Sequence, residues 1–418
     1  MKTKMSLLLG LAASAMLGVT AQINAAKADT TINALFMKQA AYSEDDVRSM
    51  AKDFEAANPG IKVNLEFVPY EGLHDKIVAG SGAQGYDVVL FDVIWPAEFA
   101  KHGILQDVSS RVAPDDTAKV FDGAWSTVEY EGKRWGMPWI LDTKYLFYNK
   151  EMLEKAGIAN PPKTWDELVA DAKTIKEKGI SKFPIVWSWA QAEAVICDYT
   201  TLVDAYGGKF FDDAGKPAID QGGALDAMKF MEQTLKDGIT NPNSKEYLEE
   251  DVRKVFSNGD AAFALNWTYM YNMANGDPKE SKIVGKVGVV PAPGVQGKSE
   301  FSAVNGSMGL GIAAKSAHPD EAWKFIAFLT SQPEQNKFAK LSLPIWKSSY
   351  DDPAVQAGQE QLVAAAKGAI NAMYPRPTTP SYQEMSTILQ KYIQQVVIGK
   401  SSSDDAMKAA AKQVARLR

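Results

Sequence analysis

The sequence predicts two α/β lobes joined by crossing segments, with a cleft between them. Three observations lead to that fold class. Short apolar runs alternate with capped helical patterns in the stretch that follows residue 29, the grammar of β-α-β units and of a mostly parallel sheet. Further short strand patterns flank a long helical stretch, so a second sheet is expected. The 390 residues that follow a 28-residue leader exceed what one core holds, because cores stop growing at about 250–300 residues.

The leader comes first. Lys2 and Lys4 precede an apolar run over residues 7–19, and the small-residue triplet Ala26-Lys27-Ala28 stands ahead of Asp29. This is the pattern of a secretory signal peptide cleaved after Ala28, since the apolar run is too short to span a bilayer. The chain has one cysteine, Cys197, so the leader offers no thiol for a lipid and no internal disulfide can form. Loss of the leader removes three lysines and no acid, so 42 basic against 51 acidic residues leave a formal charge of −9. That balance disfavours nucleic acid and anionic membranes as partners. The expected product is a monomer in the periplasm of a Gram-negative cell.

Residues 30–36 form a β-rich run, Ser43-Glu44-Asp45-Asp46 opens a capped helix, and Asn58-Pro59-Gly60 stops it. Ile61–Val68 reads as the next strand, and DVVLF (87–91) as a strand buried on both faces, followed by a helix that opens at Pro96. Glu131-Gly132 is the turn of a hairpin. Thr164 caps a helix and Glu167 completes its capping box, after which helical patterns run to about Val255. Short strands are expected over residues 261–265, 287–290 and 310–313. An amphipathic helix over 319–330 and a helical tail from Tyr382 complete the chain.

Ligands of open parallel sheets sit beyond the carboxyl ends of strands. That rule selects Lys38, Gln39 and Tyr42 after the first strand, Asp92 and Trp95 after DVVLF, and Asn266, Trp267 and Tyr269 after AAFAL. Flat rings, carboxylates and amides suit a sugar, whose C–H faces stack on rings and whose hydroxyls need acceptors and donors. Trp187 and Trp189 are two apart, so in a strand their rings share a face, and one explanation, cleft or core, covers both. Arg376 lies between Pro375 and Pro377, a charged donor on a stiff turn. Gly306 and Ser307 precede a strand, and the glycine allows close approach of backbone N–H groups. Within GKRWGMPWILDTKYLFYNK (132–150), Tyr145 and Phe147 alternate on one strand face and belong to a core, while Trp139 and Asp142 stay as cleft candidates where the chain crosses lobes.

Catalytic signals are thin. His74, His102 and His318 are scattered, and no H-E-x-x-H, nucleophile elbow or P-loop occurs, so neither catalysis nor a metal or other cofactor is expected.

The order FEAANPGIKV, GYDVVLFD, GKRWGMPW, YLFYNKEMLEKAGI, PPKTWDELVADAKTIK, NGDAAFALNW and GSMGLGIAAKS resembles the family 1 extracellular solute-binding proteins, the sugar-binding subunits of ABC importers related to maltose- and trehalose-binding proteins. The resemblance covers essentially the whole chain after the leader. It implies a two-lobed, type II-like periplasmic binding-protein fold that closes on a carbohydrate without catalysis. It also implies delivery of the cargo to permease subunits in the inner membrane, and sugar contacts from Asp92, Trp267, Gly306, Ser307 and Arg376. The lobes are expected over residues 29–139 with 291–345, and 140–290 with 346–418. A disaccharide is the expected cargo. A polyol, an acidic or sulfonated sugar that Lys38 would suit, and a polyamine are alternatives within the class, and a secreted glycoside hydrolase is the alternative outside it.

Overall fold

The computed structural model describes residues 29–38, 41–82 and 85–417. The leader, with its cleavage site, lies outside them. Twelve strands are present among the described residues: β1 (Thr30–Met37), β2 (Ile61–Val68), β3 (Val88–Asp92), β4 (Glu129–Tyr130), β5 (Lys133–Arg134) and β6 (Met137–Ile140) come first. They are followed by β7 (Tyr145–Asn149), β8 (Ile185–Val186), β9 (Phe263–Asn266), β10 (Val287–Val295), β11 (Ser299–Ser302) and β12 (Met308–Ile312).

Local signals act where expected. The Ser43 hydroxyl accepts from Asp46 N–H at 3.1 Å while the Asp46 carboxylate accepts from Ser43 N–H at 3.0 Å, closing the capping box of the helix Glu44–Ala57. Thr164 and Glu167 do the same for Trp165–Glu177. The hairpin between β4 and β5 turns through Glu131 and Gly132 at φ 51° and 73°, the positive pair that a two-residue turn needs to match strand twist.

Two five-stranded sheets organise the chain into two lobes, in the orders β2-β1-β3-β12-β6 and β11-β10-β7-β9-β8. In the first, β1 runs parallel to β2 and β3, while β12 is antiparallel to β3 and β6. In the second, only β8 and β9 are parallel. The parallel pairing that the β-α-β grammar predicts is thus found in the first lobe, at β2-β1-β3, while the second sheet is largely antiparallel. A parallel neighbour needs a crossover of a dozen or more residues, usually a helix. β10 and β11 are joined by a short hairpin link, and β7 and β12 are entered by short links from the other lobe, which leaves them antiparallel to their neighbours.

β10 also outruns its expected end at residue 290. Pro291 and Pro293 interrupt the strand pattern in the sequence, yet Pro291 stays in register with Tyr145 and Pro293 with Phe301. Residues 291–302 thus lie with the second sheet, not with the first as expected.

The chain crosses between lobes at residues 141–144 and again at 303–307, and these segments bond to each other. Ser307 Oγ accepts from Asp142 N–H at 3.2 Å, Asp142 O from Gly306 N–H at 3.1 Å, and Thr143 Oγ1 from Val304 N–H at 3.0 Å. A third segment joins them, with Tyr374 O accepting from Asn305 N–H at 2.9 Å and Ala303 O accepting from Tyr374 N–H at 3.1 Å. The helix Tyr382–Val397 then packs on Glu193–Ala205, and Ser403–Val414 on Gly222–Lys236.

Candidate binding cleft

Between the sheets, beside this hinge, lies a cleft lined by Asp92, Asp142, Trp267, Gly306 and Arg376, with Tyr70, Glu71, Glu193, Cys197 and Glu249 completing its polar wall. Its cavity volume is about 90 Å³, several times the ~10–15 Å³ that one water needs.

Arg376 is the centre of one wall. Its Nη2 donates to Asp92 Oδ1 and its Nη1 to Glu193 Oε1, both at 2.7 Å. Asp92 sits at the end of β3 in the first lobe and Glu193 in the first turn of Glu193–Ala205 in the second, so one guanidinium ties both lobes. Tyr70 donates to Asp92 Oδ2 at 2.9 Å, while Tyr382 and Ser386 donate to Glu193 at 2.5 Å each. Burial works against the Arg376 charge, but Asp92 and Glu193 prevail and raise its pKa, so it stays a cation.

Trp267 lines the same cleft. Asn266, buried at the end of β9, accepts from Trp267 N–H at 2.8 Å, and the indole N–H donates to Glu249 at 3.2 Å. Lys144 Nζ lies 5.0 Å from the ring centroid, donating to Asp198 at 2.5 Å and to Ser188 at 2.9 Å. Burial disfavours the ammonium, yet Asp198 and Glu249 raise its pKa and hold the proton. The far edge of the indole lies directly against Gly306, where a β-carbon would collide with the ring.

Asp142 occupies the first crossing. Its Oδ1 accepts from Thr143 N–H at 2.9 Å and from Thr268 Oγ1 at 2.6 Å and N–H at 3.3 Å, whereas Oδ2 has no partner among the described residues. Burial pushes its carboxyl up to about 7, against the pull of the Thr268 and Thr143 bonds and the Lys144 charge.

Several residues selected from the sequence lie elsewhere. Tyr42 and Trp139 pack on each other at 4.8 Å between centroids in the first lobe's core, with Phe36 against Trp139. Trp187 and Trp189 lie beyond β8, stacked at 5.1 Å and 13° and wholly buried with Trp165. The second lobe, made of helices around a short-stranded sheet, fills its centre with these rings. Ser307 is buried and spends its hydroxyl on Asp142 N–H. Trp95 stacks on Tyr70 at 5.9 Å and faces a neighbouring groove with His74 and Gln383. Gln39 lies outside the described residues, and Lys38 is not among the lining side chains.

Tyr70, Glu71, Glu193 and Glu249 escape the strand-end rule because they stand in the first turns of the helices Tyr70–Ser81, Glu193–Ala205 and Glu249–Ser257. Helix N-termini converge on the same crevice as strand ends in such folds. Acids in first turns were the available signal. Among the described residues, no group of three or more His, Cys, Asp or Glu is placed to hold a metal ion.

Comparison with known proteins adds to this geometry. The profile of the bacterial extracellular solute-binding proteins matches residues 40–336. The structure of maltose-bound T. maritima MalE3 superposes with a TM-score of 0.87 at 32% identity, covering 93% of this chain and 100% of that one. A Thermotoga lettingae solute-binding protein of an ABC transporter, bound with alpha-D-tagatose, gives 0.83 at 28% identity over 93% and 100%. The maltotriose-binding protein of Pyrococcus abyssi is 25% identical over 340 residues, 80% of this chain and 70% of its own. These are binding proteins, not enzymes.

Proposed function

Because this chain belongs to the bacterial extracellular solute-binding protein family, we propose that it is an exported periplasmic receptor that captures a carbohydrate between its lobes and hands it to the permease of an ABC importer. One observation supports this reading above the rest. The indole of Trp267, the fork of Arg376 and the free oxygen of Asp142 share one cleft at the hinge. A sugar offers apolar C–H faces to such a ring and hydroxyls to such donors and acceptors.

The cargo we favour is a small sugar of one or two rings, a disaccharide of the maltose or trehalose type being the first candidate. Maltose and tagatose in the similar structures are consistent with that size. An acidic or sulfonated sugar loses its rationale, since Lys38 does not line the cleft. Capture proceeds by closure. The cargo contacts Asp92, Arg376 and Trp267 together, adding contacts that only the closed form makes.

A thermal-shift screen over mono- and disaccharides tests the reading, because a ligand at 100 times its Kd adds about 2.7 kcal/mol. We expect one sugar to raise the melting temperature and to be recovered unchanged. Stabilisation by spermidine with none by any sugar, or release of reducing sugar from glycosides, would sink it.

A further inference from the structure

We propose that the cleft selects its cargo by charge, taking a hydroxylated solute that carries a protonated amine and rejecting the acidic counterpart of the same scaffold. This rests on the carbohydrate reading above. Among the described residues, five carboxylate side chains line the cleft, Glu71, Asp92, Asp142, Glu193 and Glu249, against the single cation Arg376. Both of that cation's Nη atoms are already committed, one to Asp92 and one to Glu193. Lys144, behind Trp267, is committed to Asp198 and Ser188, with Glu249 at 3.5 Å. An anionic cargo would meet this excess of carboxylates and, among the described residues lining the cleft, only those hydrogens of Arg376 that are not given to Asp92, Glu193 and Asn305 as charged donors. That is a repulsive element of the kind that gives specificity.

A cationic cargo meets the opposite situation. Asp142 is 2% exposed, lines the cleft, and leaves Oδ2 without a partner while Oδ1 takes three donors. A buried carboxylate oxygen is costly to leave unmatched, and a charged donor is about twice as strong a partner as a neutral one. An ammonium therefore does what a hydroxyl does at Oδ2 and also offsets the acidic excess.

Matched triads provide the test: glucose, glucosamine and glucuronate, the galactose equivalents, and trehalose with its amino and uronate forms. Each is titrated calorimetrically into the whole protein at pH 7.5 and low salt. On the scaffold that binds, the amine should bind about tenfold tighter than the neutral sugar, the low end for close charge pairs, with no heat from the acid. Asp142→Asn should shrink that ratio, and Glu71→Gln, at the exposed rim, should shrink it too without entering the buried network. An acid that binds as well as its neutral partner, an amine that binds no better, or a ratio unmoved in Glu71→Gln overturns the proposal alone. No binding by any triad overturns the carbohydrate reading and this proposal with it.

Discussion

Gly306 holds its place because the indole of Trp267 lies where a side chain would begin. Gly306→Ala should push the ring out of position and weaken sugar binding as Trp267→Ala does, by about tenfold to a hundredfold in titration, which is the scale of burying part of one aromatic ring. Asp142 makes a prediction of another kind. Its carboxyl stands at about 7 when folded, against about 3.9 in an unfolded chain. Between those values the folded protein holds a proton that the unfolded chain has lost. The contribution is fully present below about pH 4 and is lost as pH rises through 7, up to about 4 kcal/mol in all. Urea unfolding of wild type and Asp142→Asn from pH 4.5 to 8 should show wild type losing stability relative to the variant as pH rises. A difference independent of pH would mean that the carboxyl is not raised.

Rings that the sequence selected for the cleft serve the lobes instead. Trp187, stacked on Trp189 and packed against Trp165, should cost about 3–5 kcal/mol when replaced by alanine, while the cleft keeps its affinity. Chemical denaturation followed by titration separates the two effects; a loss of affinity with unchanged stability would return Trp187 to the site. Elements with local signals were legible: the capping boxes at Ser43 and Thr164, the Glu131-Gly132 turn and the apolar run of β3 all formed where residue spacing placed them. Pairing partners were not legible. Whether β10 joins β7 or a strand of the first lobe depends on contacts far along the chain, and its two prolines hid its second half. Asp92 and Trp267 could be read because they end strands. Glu193 and Glu249 were missed because an acid in a first helical turn looks like ordinary dipole compensation.

At the scale of the whole molecule, Asp142, Gly306 and Arg376 belong to the three segments that bond side by side at the hinge. Arg376→Ala would leave Asp92 and Glu193 buried without their cation, and should cost about 3–5 kcal/mol as well as affinity. Small-angle scattering with and without saturating cargo checks closure itself; superimposable curves would argue for a rigid cleft. Two lobes were legible from length and strand grouping, whereas the angle between them is set by these crossings and has no short motif. The sole thiol of the chain stands in this same cleft, 4% exposed. Cys197 is therefore a built-in gauge of occupancy. Burial pushes the Cys197 thiol up, so a small alkylating reagent should modify it only from the opened form, in proportion to the open fraction, and that modification should slow as cargo concentration rises, reporting occupancy without any engineered label.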